Sequence, residues 1–499
     1  MAPLTSTMIS QSFLAICTIA LLAFLSAESH VIAKHKKGPK LELQELNVKR
    51  SDFPSDFLFG AASSASQTEG SPKEGGRGPS TWDNKLEKFP EKHQNITNIN
   101  IAIDAYHRYK EDAKLMKDLG MNTHRFSISW SRILPNGTLS GGVNQVGIDH
   151  YNSVINELLK NGIEPFVTLV HFDMPQALED DYGGLLSRLF IDDFKDYSEV
   201  CFKNFGDRVK NWITINEPTV LADFGYLYGR SPPFRCSFPA GPCAAGNSST
   251  EPYIVTHNII LAHAAAVRLY REKYQTRYFK PSSDSKKQRA AADRLTDALM
   301  GWIIEPLVFG DYPKSMRDLV KERLPIFSEE EKKMITGTLD FIGLNYYTSR
   351  YAIATAPAQY PRHRFDSLSE AGGYIYVYPI GLQKLLELMK RKYQNPKIYI
   401  TENGVAEKRN DSIPLDQALK DPHRIDFITR HLYRMSNAIK NGVNLKGYFY
   451  WTPFDGLEYG STHARYGLYF VDYNDNLKRI PKQSAKWFRE FLLCNSTSC

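Results

Sequence analysis

From residue 53 onward, short apolar runs alternate with amphipathic stretches, and that alternation constrains the fold more than any other feature. Strand-like runs fall at 57–62, 123–130, 164–171, 209–216, 339–347, 397–402 and 445–451. Helical patterns of 3.6-residue period fall at 104–119, 149–161, 191–205, 254–274, 380–393 and 422–441. Gly120, Gly162, Gly206 and Gly442 follow four of these directly, as a helix C-terminal signal should. Alternating strands and helices imply an α/β protein with a parallel sheet covered by helices. A doubly wound sheet would carry a glycine-rich phosphate loop after its first strand. The first run instead leads into Ala62-Ser63-Ser64-Ala65-Ser66-Gln67, which has no such pattern.

Polar residues close most of the runs: His171, Asn216, Glu217, Asn345, Tyr347, Glu402 and Trp451. In a (β/α)8 TIM barrel those positions converge on one mouth, so a barrel is the predicted fold. Seven runs are found where eight are needed. The gap between Glu217 and Leu339 should hold strand five, which is therefore expected to be truncated.

The 499 residues would suggest several domains on length alone, but a barrel of this size is one domain. The expected division is a leader at 1–27, a tail at 28–52, a single barrel domain at 53–492 and a short tail at 493–499. The leader contains an apolar run at 13–25, too short for the ~20 residues of a membrane span. Ser26 and Ala27 follow it as a cleavage site, which reads as a secretory signal peptide. No other segment approaches a membrane span, so no membrane partner is expected after its removal.

Asn-X-Ser/Thr sequons at Asn95, Asn136, Asn247, Asn410 and Asn495 agree with secretion, to the cell exterior, cell wall or vacuole. Cys236 and Cys243 flank a turn-rich stretch and are a candidate disulfide; Cys494 and Cys499 are another. Cys201 lies in an apolar helical pattern and reads as a buried free thiol. No Cys-x-x-Cys or His/Cys spacing suggests a metal.

The net charge of +7 divides between 62 basic and 55 acidic side chains. The basic residues are spread along the chain except for Lys34, Lys36, Lys37 and Lys40, so no nucleic-acid partner is expected.

Two runs end alike, in Thr214-Ile215-Asn216-Glu217-Pro218 and Ile400-Thr401-Glu402-Asn403-Gly404. Each puts a carboxyl beside an amide at the mouth. Two carboxyls facing across a pocket suit glycosidic bond cleavage, in which one protonates the leaving oxygen and the other attacks or activates water.

These stretches, with Phe57-Leu58-Phe59-Gly60-Ala61-Ala62, Tyr106-His107-Arg108-Tyr109-Lys110-Glu111-Asp112 and Arg125-Phe126-Ser127-Ile128-Ser129-Trp130-Ser131-Arg132, resemble the family 1 glycoside hydrolases, and within them the plant β-glucosidases. The resemblance runs from about Phe53 to Phe491. It implies Glu217 as general acid/base and Glu402 as nucleophile of a retaining mechanism. It implies that Arg125 keeps Glu402 anionic and that Tyr347 hydrogen-bonds it. Gln67, His171, Asn216, Tyr347, Trp451, Glu458 and Tyr459 match positions that hold the terminal sugar. A small β-D-glucoside is then the expected substrate, with no cofactor, because the chemistry is acid/base plus nucleophile. Glu217, in place of the Gln of plant thioglucosidases, favours O-glucosides. A homo-oligomer is compatible with the sequence.

The chain departs from the family pattern in four places. The strand expected before 280–285 is missing, leaving 275–279 as a minimal strand or the barrel with two unpaired edges. The loop after Tyr347 is short. His171-Phe172-Asp173 and Glu458-Tyr459 each replace the usual tryptophan, removing an indole donor. These departures raise an alternative reading, a catalytically weak or inactive paralogue acting as a glycoside-binding or structural protein.

Overall fold

The structure, a computed structural model, describes residues 46–83, 100–274, 296–348, 352–354, 369–371, 377–408, 410, 412–458 and 464–493. The chain divides into Met1–Asn47 and Val48–Cys499, and every element named below belongs to the second unit. Its centre is a seven-stranded sheet: β1 Leu58–Ala62, β2 Thr123–Ser127, β3 Glu164–Val170, β4 Asn211–Ile215, β5 Ile342–Asn345, β6 Ile398–Asn403 and β7 Leu445–Trp451. The spatial order is β4-β3-β2-β1-β7-β6-β5, with every neighbouring pair parallel. This is a (β/α)8-type barrel with one strand missing among the described residues.

All seven predicted strand runs form strands, mostly shorter than their apolar runs. Six longer helices match the six helical patterns: α1 Ala105–Asp118, α2 Gln145–Lys160, α3 Leu189–Phe205, α4 Glu251–Lys273, α5 Pro379–Lys392 and α6 Pro422–Lys440. A seventh, α7 Gln483–Leu493, closes the described chain. In α3 the buried residues Phe190, Phe194, Tyr197, Cys201, Phe202 and Phe205 recur at three- and four-residue spacing, so one stripe faces the sheet. On that stripe Tyr197 stacks on Trp130, with ring centroids 4.5 Å apart.

Gly120, Gly162 and Gly442 end their helices with left-handed backbone, as expected of helix-terminal glycines. Gly206 does not: its φ is −68°, and glycine is needed there because a Cβ would meet the Phe202 carbonyl oxygen at 2.4 Å.

The lumen has its own small core, separate from the sheet–helix core. Phe166 sits at its centre, with the rings of Phe341, Tyr399 and Phe449 at 5.3, 5.1 and 5.1 Å. These edge-on contacts fill the barrel floor and leave its C-terminal end for polar groups.

β4 and β5 are the two edges: β4 pairs only with β3 and β5 only with β6, and among the described residues no strand covers the outer flank of either. Their burial reflects it: four of the five β4 residues are half-exposed and Gly343 of β5 is exposed, whereas all of β2 and β6 is buried. The 275–279 segment weighed as a minimal fifth strand lies outside the described residues. The described chain from Asp297 to Ile335 is helical in five short pieces that the sequence reading left unassigned. One of them carries a readable signal: Ser328 and Glu331 form a reciprocal capping box.

Candidate active site

The C-terminal ends of the strands gather the polar residues into one pocket. At its centre is Arg125, expected to end its strand but placed in the middle of β2, with Phe126 and Ser127 still paired beyond it, and 1% exposed. Its Nε donates to Thr168 Oγ1 at 3.1 Å and its Nη2 to Asn216 Oδ1 at 2.6 Å. Its Nη1 donates to the Thr401 carbonyl at 3.2 Å and forms a short ion pair with Glu402 Oε1. A planar guanidinium can satisfy four acceptors in fixed directions, which an ammonium cannot.

Glu402 is buried at the end of β6 and takes a second bond on Oε2 from the Tyr347 hydroxyl at 2.7 Å. Burial and the nearby Glu402 and Glu217 charges hold the Tyr347 hydroxyl well above its ordinary pKa, so it stays a donor.

β6 is irregular at this point. Leu344 pairs with Ile400 but Asn345 with Glu402, and Tyr448 pairs with Ile400 but Tyr450 with Asn403. The β5 pairing thus steps over Thr401, and on the β7 side the single residue Phe449 spans Thr401 and Glu402. A bulge of this kind re-aims side chains, and here the consecutive residues Thr401 and Glu402 both make polar contacts at the mouth.

Glu217 follows β4 with a left-handed backbone, φ 42° and ψ 61°, uncommon for a residue with a side chain. Pro218 then opens the next helix. Among the described residues the Glu217 carboxyl takes one hydrogen bond, from Asn345 Nδ2 to Oε1 at 2.9 Å. Burial raises its pKa to about 7, and the Glu402 charge pushes the same way; the Asn345 bond and the Arg125 charge pull it back. The two carboxyls thus sit in opposite surroundings. One is held by a cation and a phenol; the other is half-buried and, among the described residues, has a single amide donor.

The remaining residues form a linked rim. Gln67 donates to Glu458 Oε2 at 3.3 Å and to the Leu457 carbonyl at 2.7 Å, while Ser64 Oγ donates to Gln67 Oε1 at 2.6 Å. Trp451 Nε1 donates to Glu458 Oε1 at 3.1 Å. Burial raises the Glu458 carboxyl to about 8, against the pull of its Trp451 bond. His171 lies parallel to Trp451, with centroids 5.7 Å apart, and pairs with the Asn216 amide at 3.3 Å. Burial first, then the Arg125 charge, keeps this imidazole neutral.

Gln67, Arg125, His171, Asn216, Glu217, Tyr347, Glu402, Trp451 and Glu458 are therefore joined by contacts around one mouth. Tyr459, expected beside them, lies outside the described residues, as does the short loop at 355–368. The expected Cys236–Cys243 disulfide is present. Cys201 is buried and free, and burial pushes its thiol pKa up. Asn136, Asn247 and Asn410 are exposed; Asn95 and Asn495 lie outside the described residues, as do Cys494 and Cys499. Among the described residues, no cluster of His, Cys, Asp and Glu is arranged to hold a metal ion, and no helix is long and apolar enough to cross a membrane.

Three features escaped the sequence reading. Asn345 was noted only as a polar strand end, yet it touches Glu217, Asn216 and Thr401. Thr168 was an unmarked residue of an apolar run. Behind the rim lies a buried ionic network: Lys482 bonds Asp455 Oδ1 at 3.0 Å and also reaches Glu407, Arg465 reaches Asp455 at 3.3 Å, and Arg424 pairs with Asp421. Asp455 stands three residues before Glu458, so this network fixes the start of the segment that carries the rim carboxyl. Its members lie far apart in sequence, and no local pattern marks them.

The comparisons with known proteins agree with this geometry. The model of Glycosyl hydrolase family 1 matches residues 49–497. Rice (Oryza sativa subsp. indica) Beta-glucosidase 12 is 49% identical over 476 residues, 89% of this chain and 93% of that protein. The Furostanol glycoside 26-O-beta-glucosidase of Hellenia speciosa is 50% identical over 473 residues, 89% of this chain and 83% of its own length. Among solved structures, a mutant rice β-glucosidase in a covalent complex with Glc superposes with a TM-score of 0.83 at 42% identity, covering 90% of this chain and 100% of that one.

Proposed function

Because the chain belongs to glycosyl hydrolase family 1 and is a β-glucosidase of the plant type, we propose that it hydrolyses terminal β-D-glucosyl residues from small O-glucosides by a retaining, double-displacement mechanism. The observation that carries the mechanism is the opposed setting of its two carboxyls. Glu217, raised to about 7, holds a proton to give to the glycosidic oxygen, whereas Glu402 is gripped by Arg125 and Tyr347. Glu402 attacks the anomeric carbon as Glu217 protonates the leaving oxygen. Glu217, now ionised, then takes a proton from the water that releases the sugar. The rice relative caught in a covalent complex with Glc supports such an intermediate.

The rim supplies recognition. Glu458 and Gln67 face hydroxyls as acceptor and donor, His171 and Asn216 read others, and Trp451 offers an apolar ring face to the pyranose. No observation favours the weak or inactive paralogue. Turnover of an aryl β-glucoside that disappears in Glu402→Gln tests the reading; a folded protein turning over no faster than that variant refutes it.

The reading extends to a secreted or vacuolar glycoprotein. What supports it is the apolar leader at 13–25, the Cys236–Cys243 bond, and the exposure of Asn136, Asn247 and Asn410. Loss of mass on treatment with an N-glycosidase, and an N-terminus beginning after residue 27, are the expected results for protein from its native tissue.

A further inference from the structure

We propose that Asn345 is a positioning residue that assigns the acidic proton of Glu217 to Oε2, the oxygen from which it is delivered. The proposal rests on the reading of Glu217 as the general acid.

The Asn345 amide has its oxygen and nitrogen fixed from two sides. Thr401, 2% exposed, donates its hydroxyl to Asn345 Oδ1 at 2.8 Å. On the other side, Asn345 Nδ2 faces two acceptors, Asn216 Oδ1 at 3.2 Å and Glu217 Oε1 at 2.9 Å. Asn216 Oδ1 is itself identified as an oxygen because Arg125 Nη2 donates to it at 2.6 Å. Flipping the Asn345 amide would set its oxygen against two oxygens and its nitrogen against the proton of Thr401. A guanidinium at one end and a hydroxyl at the other therefore determine where the two amide protons lie.

The consequence falls on Glu217. A neutral carboxyl has one carbonyl oxygen, which accepts, and one hydroxyl, which donates. Nδ2 donating to Oε1 favours Oε1 as the carbonyl oxygen, leaving the proton on Oε2. In the bond-breaking step, that proton moves from Oε2 to the glycosidic oxygen. The electron pair of the C1–O bond goes to the same oxygen, and a Glu402 oxygen bonds to C1. A carboxyl free to carry its proton on either oxygen would spend part of its time with the acid facing away. The same amide bond stabilises the ionised form that follows proton transfer. The bulge at Thr401 is what makes this possible, since it brings Thr401 and Glu402 to the mouth together.

The test compares leaving groups through kcat/KM, which reports the steps up to glycosylation. An alkyl or phenyl β-glucoside needs its leaving oxygen protonated, and a 2,4-dinitrophenyl β-glucoside does not. Asn345→Asp is nearly isosteric and replaces the donor by an oxygen. We expect kcat/KM to fall about 100-fold on the phenyl glucoside and less than about fivefold on the dinitrophenyl glucoside, within the range of general-acid effects. Asn345→Ala, should the first variant not fold, should show the same selectivity. Thr401→Val should shift it in the same sense but less, and Thr401→Ser should restore it. An equal fall on both substrates, or none on either, overturns the proposal. Glu217→Gln is the control for the underlying reading: if it spares neither substrate, the acid assignment itself fails. If it discriminates and Asn345→Asp does not, only the positioning role fails.

Discussion

Arg125 donates through Nη2 to Oδ1 of Asn216 at 2.6 Å. Through Nη1 the same guanidinium grips Glu402. One buried cation on β2 thus ties Glu402 on β6 to Asn216, the residue that follows β4 and precedes Glu217.

Arg125→Lys is therefore not a conservative change. A lysine keeps the charge but cannot reach Glu402, Asn216, Thr168 and the Thr401 carbonyl together. We expect kcat/KM to fall at least about 100-fold. Arg125→Gln, which leaves Glu402 unpaired in a buried site, should also cost about 3 kcal/mol of stability. Steady-state kinetics and denaturant unfolding of the two variants check this.

The pH profile should follow Glu217. Its carboxyl must be protonated to act, so kcat/KM on an unactivated glucoside should decline as pH rises through about 7. The dinitrophenyl substrate should lack that decline.

Glu458 links pH to stability, with the sign set by its raised pKa of about 8 against an ordinary 4.5. The folded state favours the protonated form, so the contribution is fully present below pH 4.5 and is lost as pH climbs through 8. Glu458→Gln cannot ionise. The stability of wild type relative to this variant should therefore decline from pH 5 to pH 9, by about 1–3 kcal/mol. The variant should also raise KM, because glutamine has one acceptor oxygen for the two donors Gln67 Nε2 and Trp451 Nε1. Melting curves across that pH range, with KM measured alongside, give both readouts.

Lys482 holds the rim from behind. Lys482→Met leaves the buried Asp455 and the half-buried Glu407 facing one cation fewer. About 3 kcal/mol of stability should be lost. KM should rise more than kcat falls, because Asp455 anchors the segment bearing Glu458 and not the reacting carboxyls.

The open side of the sheet should exchange its amides first. Residues 211–215 and 342–345 lack a neighbour on one flank among the described residues, whereas β1, β2 and β7 are paired on both. Hydrogen exchange read by mass spectrometry should show peptides from β4 and β5 labelled well before those from β2 and β7.

The barrel was legible because its strands and helices obey local periodicities, and because polar residues close apolar runs in chain order. Glu217 and Glu402 stood out for the same reason: a carboxyl at the end of a buried strand has no packing role. Asn345 carried the same strand-end signal but no assignment, since its importance lies in contacts made across the two sheet edges. Thr401 was hidden by its bulge, which breaks the two-residue alternation a sequence reading relies on. Lys482 and Asp455 were hidden by distance along the chain, 27 residues apart and paired only by the fold. The five short helical pieces from Asp297 to Ile335 escaped because none is long enough to show a clear period.

In the proposed mechanism Glu402 forms a covalent bond to the sugar while Glu217 serves as acid. Incubation with a 2-deoxy-2-fluoro-β-glucoside bearing a good leaving group, followed by peptide mass spectrometry, tests it most directly. Time-dependent inactivation is expected, with one fluoroglucosyl unit on the peptide containing Glu402, on that residue alone. Labelling of a different carboxyl, or turnover giving the α-anomer first with no label at all, would contradict it.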